Sequence, residues 1–286
     1  MNVLVNPFGT IFNPLSLSLL LQVASGKSYD FEQNLVQQNG IWYAYDLHSS
    51  LSSPEKSTLL QTITERMQQT KQQLQQASLL IITMGTAIGY RLQESGKVVA
   101  NCHKLPAKNF ERLLLNADEL ENAFGEMYKS LKGINPQLQL LLTVSPVRHL
   151  KETVEMNSVS KATLRVLCHQ LQKAHPDVLY FPAYEIMMDD LRDYRFYKED
   201  MLHPTPQAEE YIWQKFVDAY YAPAFRQFMK QWAKMQNAIA HRPFHPESEA
   251  HQAFLNNTLK QLQELEQKYA IDVTREKAAI TQQLKV

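Results

Sequence analysis

The chain has 286 residues, of which 44% are hydrophobic and 20% are charged, and its 29 basic and 29 acidic side chains give a formal net charge of zero. This length allows one or two domains with a sizeable buried core. Nucleic-acid binders and anionic-membrane binders need an excess of Lys and Arg, so the composition argues against both kinds of partner. Two cysteines, Cys102 and Cys168, are too few for a disulfide framework and lack metal-ligand spacing, which favours a reducing compartment.

The first residues do not have the pattern of a secretion signal. No stretch of the sequence approaches the roughly 20 apolar residues that a membrane span requires. We therefore expect a cytoplasmic protein with no membrane partner.

Short apolar runs alternate with longer helical patterns, which is typical of βαβ units around a mostly parallel sheet. The apolar runs predict strands over residues 2–5, 79–84, 138–144 and 178–181. Helices are predicted over residues 55–76, 108–131 and 157–173, and the last has Val159, Ala162, Val166 and Leu167 on one stripe. Residues 88–92 and 97–101 predict a hairpin. We expect an α/β domain over residues 1–222 and a helical extension over residues 223–286.

The sharpest local signal is Asp200-Met-Leu-His203-Pro204. On a tight turn, a carboxylate three residues before an imidazole can accept from one ring nitrogen while the other faces a reacting group, as in a Ser-His-Asp array. Thr205 is a plausible N-cap and Pro206 suits the first helical position, so His203 would lie on a loop just before a helix. A structural ion pair or a solvated loop explains the same spacing equally well.

A second candidate lies where the predicted hairpin ends, at Asn101-Cys-His103-Lys104. In extended backbone, Asn101 and His103 would share a face, and an Asn amide in a cleft can donate to a developing oxyanion. The same alternation argues against a Cys102–His103 nucleophile pair. A turn-capping Asn and a surface His are the simpler interpretation.

Two glycines follow predicted strands, at Gly9 and at Gly85-Thr86. Glycine lets the backbone turn sharply and present N–H groups to an anion. Arg148 and His149, after the third predicted strand, can line a cleft at the strand end, although structural or solvent roles are common for such residues. The segment 190–197, which contains Arg195, is predicted to be a loop with internal ion pairs that holds Asp200 and His203 in place.

Taken together, these peptides resemble the GSCFA family, which is similar to the SGNH (GDSL-type) hydrolases. The resemblance covers residues from about 2 to 213 and is carried by residues 5–14, 85–86, 101–104, 143–149, 160–161, 180–185, 190–197 and 200–204.

The resemblance implies a flavodoxin-like parallel sheet flanked by helices, with reactive residues at the carboxyl ends of strands. It implies His203 as the base, Asp200 as its acid, and Gly9 and Asn101 as oxyanion-hole donors. The implied substrate-binding residues are Gly85, Thr86, His103, Arg148, His149 and Arg195. No metal and no cofactor are expected, and the implied reaction is hydrolysis or transfer of an ester-linked acyl group, including esters on glycans.

This chain differs from the family pattern at its beginning. The peptide Gly-Ser-Cys-Phe-Ala, which holds the expected serine nucleophile, would lie upstream of Gly9, and neither Gly-Ser-Cys nor Gly-Asp-Ser occurs in the sequence. We therefore expect the first, central strand of the family sheet to be missing and the chain as written to be inactive. A misplaced start codon, an inactive truncated relative and a sheet paired in another way are the competing explanations.

The leading hypothesis is thus an SGNH-like hydrolase acting on a small-molecule or glycan ester. The alternative is a non-catalytic binding or interaction protein that keeps the cleft and pairs through its C-terminal helices, with a homo-oligomer as one form.

Overall fold

The structure of the protein is a computed structural model that describes residues 3–151 and 153–284. The chain divides into two units, one ending at Ile212 and the other beginning at Trp213. The sequence placed the boundary ten residues later, after residue 222. No helix in the described part of the chain is both long enough and apolar enough to cross a bilayer.

The first unit mixes helices and strands. In chain order its main elements are α1 (Pro14–Ala24), β1 (Leu35–Gln38), β2 (Ile41–Ala44), β3 (Ser52–Ser53), α2 (Lys56–Gln76), β4 (Leu79–Met84), β5 (Ile88–Leu92), β6 (Val98–Val99), β7 (Phe110–Leu114), α3 (Ala117–Ile134), β8 (Gln139–Val144), α4 (Val154–Ala174), β9 (Val178–Phe181) and the short α5 (Ala183–Glu185). A π-helical turn (Ile186–Asp190) and a 3-10 turn (Tyr194–Phe196) lead to α6 (Pro206–Tyr220).

A parallel sheet of order β4-β8-β9 forms the centre of this unit. Its register pairs Leu79 with Gln139 and Leu140 with Val178. Leu140, Leu141 and Leu142 are completely buried, because β8 is the middle strand and helices such as α4 pack on the sheet. The three predicted strands at 79–84, 138–144 and 178–181 are confirmed, and so is the predicted α/β class.

Two antiparallel sheets accompany the parallel one, in the orders β1-β2-β3 and β6-β5-β7. The predicted hairpin is confirmed by the pairing of β5 with β6. The prediction of a helix over residues 108–131 was wrong in its first part, because residues 110–114 form β7 and pair with β5. The expectation of a mostly parallel sheet therefore holds for the central sheet alone.

The strand predicted over residues 2–5 is not formed in its described part. Val3, Leu4 and Val5 have no regular secondary structure, and Val3 and Val5 are 62% and 72% exposed. The segment has no ladder partner among the described residues, so its apolar pattern does not make it a strand. β4 forms an edge of the parallel sheet, where Leu79 and Ile81 are exposed.

The buried face of α4 differs from the predicted stripe. Val159 and Val166 are exposed, whereas Ser160 and Lys161 are buried together with Leu164, Leu167 and Cys168. Polar residues occupy this face because they bond to backbone groups at the strand ends, as described below.

The second unit begins within α6 and continues with three further helices, α7 (Pro223–Ala240), α8 (Glu249–Tyr269) and α9 (Thr274–Thr281). Its core joins Met235 of α7, Leu262 and Leu265 of α8, and Ile280 of α9. The predicted helical extension is confirmed.

Candidate active site

Asp200 and His203 lie on a tight turn between the 3-10 turn and α6. A bridge pairs Tyr197 with Pro204, and the N–H of Lys198 donates to the carbonyl of His203 at 2.8 Å. Met201 adopts a left-handed φ of +58°, which reverses the chain inside the turn. The turn thus brings the carboxylate and the imidazole to the same side, as the spacing predicted.

The two side chains are in direct contact. Oδ2 of Asp200 lies 2.6 Å from Nδ1 of His203, and Oδ1 accepts the N–H groups of Leu202 at 2.8 Å and His203 at 3.0 Å. The backbone N–H groups of His203 and Leu202, followed by the His203 ring, lower the pKa of Asp200 to about 2. The carboxylate is therefore ionised at neutral pH and can only accept, so Nδ1 carries the proton in the neutral ring. Nε2 then keeps its lone pair, which is the form that a general base needs.

Arg148 joins this turn to the carboxyl end of β8. Its backbone N–H donates to the carbonyl of Leu202 at 3.3 Å, and its Nη1 donates to the carbonyl of Met201 at 3.3 Å. The guanidinium lies 3.9 Å from the centre of the Tyr197 ring. Arg148 thus positions the turn that carries Asp200 and His203 beside the end of a parallel strand, where ligands bind in open α/β sheets.

His149, Gly85 and Thr86 gather around Phe12. The Phe12 carbonyl accepts the N–H groups of Gly85 and Thr86, each at 3.1 Å, and the Phe12 ring packs edge-on against His149 with centroids 5.6 Å apart. A Cβ at Gly85 would lie 3.1 Å from the Phe12 carbonyl oxygen, so a side chain fits poorly there. These backbone donors are thereby engaged within the protein.

Ser160 and Lys161 hold the same strand ends from α4. Ser160 Oγ accepts the N–H of Ala87 at 2.7 Å and contacts Thr86 Oγ1 at 3.0 Å. Lys161 Nζ donates to the carbonyls of Gly85 at 2.7 Å and Ser145 at 2.6 Å, and burial lowers its pKa to about 8. Residues 160–161 are among the peptides that carry the family resemblance, but the predicted hydrophobic stripe of this helix did not reveal that they are buried.

Gly9 and Asn101 are bonded locally. The N–H of Gly9 donates to the carbonyl of Asn6 at 2.9 Å, and Gly9 has a left-handed φ of +73°. A Cβ there would lie 2.3 Å from Cβ of His48, so only glycine fits. Oδ1 of Asn101 accepts the N–H of His103 at 2.8 Å. To serve an oxyanion, Gly9 would have to exchange its present acceptor for the ligand.

His103 lies in a turn rather than in extended backbone, so the expected sharing of a strand face with Asn101 is wrong. Its φ is +48° and that of Lys104 is +58°. The ring is buried, with Nε2 at 2.8 Å from the Ala44 carbonyl and Nδ1 at 3.1 Å from Ser49 Oγ. Both ring nitrogens thus have partners inside the protein.

Arg195 is exposed and pairs with Asp193 at 3.9 Å, while its guanidinium lies 4.8 Å from the centre of the Phe196 ring. Arg192 pairs similarly with Asp189 at 3.1 Å. These two ion pairs join near neighbours in the sequence, and neither includes Asp200 or His203.

Apart from Arg195, the predicted site residues thus form three groups. The first is Asp200, His203 and Arg148, and the second is Gly85, Thr86 and His149 around Phe12. The third is Gly9, Asn101 and His103 around residues 44–50. In the part of the chain that the structure describes, no group of three or more His, Cys, Asp or Glu side chains is arranged to hold a metal ion.

Comparisons with known proteins agree with the peptides that the sequence analysis singled out. The GSCFA family profile matches residues 1–216, and a second profile, for the C-terminal domain of GSCFA domain proteins, matches residues 232–286. Neither the curated proteins nor the solved structures give a match. Because the first profile matches well over half of the chain, the chain belongs to the GSCFA family.

Proposed function

We propose that this protein is an SGNH-like hydrolase that cleaves or transfers ester-linked acyl groups, with His203 as general base and Asp200 as the acid that orients it. The observation that carries the proposal is the 2.6 Å contact between Asp200 Oδ2 and His203 Nδ1 on an exposed turn. This is the base–orienter geometry of a Ser-His-Asp array.

The charges of the pair fit this role. An ionised Asp200 stabilises the imidazolium that forms when Nε2 takes a proton from an attacking hydroxyl. The unperturbed pKa of histidine, near 6.5, lets such a ring accept and return a proton at neutral pH. Both side chains are about half exposed, at 52% for His203 and 43% for Asp200, so a substrate can reach them.

The fold that we propose for the first unit is flavodoxin-like. The parallel order β4-β8-β9, with α3 and α4 as crossover helices, supports it. The edge of β4 exposes Leu79 and Ile81, and Val3 and Val5 are exposed as well. One more parallel strand along β4 would partly cover Leu79 and Ile81 and would pair with the backbone N–H and C=O groups of this edge strand.

The nucleophile is the part of the array that this sequence does not supply in the family form, because it contains no Gly-Ser-Cys peptide. We therefore expect residues 1–286 to show no turnover that depends on His203. The substrate that we propose is a small-molecule or glycan ester, and the compartment is the cytoplasm. No nucleic acid or membrane takes part.

The test compares ester hydrolysis by residues 1–286 with hydrolysis by the same chain extended at its N-terminus by a Gly-Ser-Cys-Phe-Ala strand segment. Acetyl esters of p-nitrophenol and of an oligosaccharide serve as substrates. His203-dependent turnover is expected in the extended chain alone, and His203→Ala should remove it. Hydrolysis by the extended chain that is equally fast with His203→Ala would contradict the proposal.

A second candidate function is non-catalytic binding through the C-terminal helices, with a second copy of the chain as partner. It is favoured by exposed aromatic side chains on this unit, because Phe225, Phe244 and Phe254 are 40%, 99% and 37% exposed. Sedimentation equilibrium distinguishes the two: a dimer that dissociates with Phe225→Ser and Phe254→Ser, and no turnover in the extended chain, would favour binding.

A further inference from the structure

We propose that Ser49 and His103 form a second nucleophile–base pair, separate from His203, that takes an acyl group from a carboxylic ester. Ser49 Oγ lies 3.1 Å from Nδ1 of His103. A nucleophile within hydrogen-bond reach of a base, with the base oriented by a third group, is the arrangement that activates a serine.

The third group is the backbone carbonyl of Ala44, 2.8 Å from His103 Nε2. A carbonyl oxygen can only accept, so Nε2 carries the proton and Nδ1 is left as the acceptor. The serine hydroxyl is therefore the donor in its contact with Nδ1. The carbonyl fixes the tautomer in the way that a carboxylate does in a triad.

The base is held rigidly. The His103 ring is buried and stacks on Tyr43 with centroids 4.8 Å apart and planes at 28°. The backbone of His103 is left-handed, and its N–H is bonded to Asn101 Oδ1 at 2.8 Å. A non-glycine residue in this conformation persists where its surroundings enforce it, which is common at functional sites.

The protonation state suits a base. Burial lowers the pKa of His103, and His48 on the neighbouring segment acts in the same direction, while the bond to the Ala44 carbonyl opposes them. The ring is consequently neutral at neutral pH. Ser49 is half-buried, and its contact with the buried base is partly buried.

The neighbouring pair, Ser50 and His48, provides a matched control. Ser50 Oγ lies 3.0 Å from His48 Nδ1, but this nitrogen also accepts the N–H of Ser50 at 3.2 Å. The two serines are adjacent in sequence, and each contacts a histidine. Of the two, only Ser49 contacts the histidine ring that a backbone carbonyl orients. A difference in reactivity between them therefore reports on the orientation of the base.

The proposed step conserves atoms and charge. Ser49 Oγ bonds to the ester carbonyl carbon as its proton moves to His103 Nδ1. The bond between that carbon and the alcohol oxygen then breaks, and the departing alkoxide takes the proton from Nδ1. The products are an acyl ester on Ser49, a free alcohol and a neutral His103.

An alkyl fluorophosphonate tests the pair directly, because its phosphorus bonds to an activated serine oxygen and fluoride leaves. In the full chain we expect the adduct on Ser49, located by peptide fragmentation in a mass spectrometer. We expect it to form about 100-fold faster than any adduct on Ser50, the range of general-base assistance. Ser49→Ala should abolish it and Ser50→Ala should leave it. Equal rates at the two serines would overturn the proposal.

Two single cysteine variants provide a second measurement that leaves the buried His103 in place. Ser49→Cys is compared with Ser50→Cys in alkylation by iodoacetamide at pH 7. The native thiols react slowly, because burial raises the pKa of Cys102 to about 11 and that of Cys168 to about 12. We expect at least about tenfold faster alkylation of Ser49→Cys than of Ser50→Cys. No difference would count against His103 as a base.

This proposal and the one for His203 fail separately. The Ser49 adduct is expected to form at the same rate in His203→Ala. An adduct that disappears with His203→Ala would assign Ser49 to the other base and overturn the separate pair.

Discussion

The two histidine turns of the first unit use the same side chain in opposite tautomers. His203 lies on an exposed turn, and its Nδ1 donates to the ionised carboxylate of Asp200, so Nε2 is the free acceptor. His103 lies in a buried turn, and its Nε2 donates to the Ala44 carbonyl, so Nδ1 is the acceptor. The acceptor that each turn supplies thus decides which nitrogen can act as a base.

Because the His103 turn is buried and the His203 turn is exposed, their hydrogen bonds differ in how much they stabilise the fold. The bonds of His103 are made in the interior, where leaving a polar group unpaired is costly. Those of His203 are made at the surface, where water replaces a lost partner. We infer that the hydrogen bonds of the His103 turn contribute more to the stability of the fold than those of the His203 turn.

Replacing each histidine by alanine tests this contrast most strongly. His103→Ala removes one buried and one partly buried hydrogen bond and a ring stacked on Tyr43, so we expect a loss of about 3 kcal/mol in the free energy of unfolding. His203→Ala is expected to change it by less than about 1 kcal/mol. Urea denaturation measures both, and equal losses would break the distinction between the two turns.

Lys161 extends the contrast to a buried cation. Because its pKa is lowered to about 8, the unfolded chain binds this proton more tightly, and stability should rise with pH between about 8 and 10.5. The rise is expected to reach about 3 kcal/mol. Lys161→Met should lack this rise, whereas Lys173→Met on the exposed face of α4 should keep it. Urea midpoints at pH 8 and 10 measure the effect.

Acid titration separates the histidine of one turn from the carboxylate of the other. The folded pKa of His103 lies below its unfolded value, so its contribution is lost as the pH falls below about 6.5. The folded pKa of Asp200 is lowered to about 2, so its contribution is present above the unfolded value and is lost as the pH falls through about 2. The free energy of unfolding is measured by fluorescence from pH 7 to pH 2. The loss assigned to His103 should disappear in the double variant Ser49→Ala, His103→Gln and should persist in Asp200→Asn.

The sequence predicted the parts of the fold that depend on local pattern. The strands β4, β8 and β9 are continuous apolar runs and were predicted as strands, although only the middle strand β8 is buried on both faces. The turn at Asp200 and His203 was equally predictable, because both partners lie within four residues of each other. Thr205, the predicted N-cap, indeed accepts the N–H of Ala208 at 3.4 Å.

Contacts between distant residues were beyond such reading. Ser49 and His103 are 54 positions apart, and Lys161 reaches a carbonyl 76 positions away. The sheet of β1, β2 and β3 is built from short, half-buried strands, which lack a strong apolar signal. The residues 2–5 show the converse: their apolar pattern is present, but Val3–Val5 form no strand.

The central claim is that Asp200 fixes the tautomer of His203, and long-range ¹H–¹⁵N spectroscopy of the histidine rings tests it most directly. At a pH where His203 is neutral, we predict a proton on Nδ1 and none on Nε2. Asp200→Asn should remove this preference while the signals of His103 stay unchanged. A wild-type His203 that carries its proton on Nε2 would contradict the account.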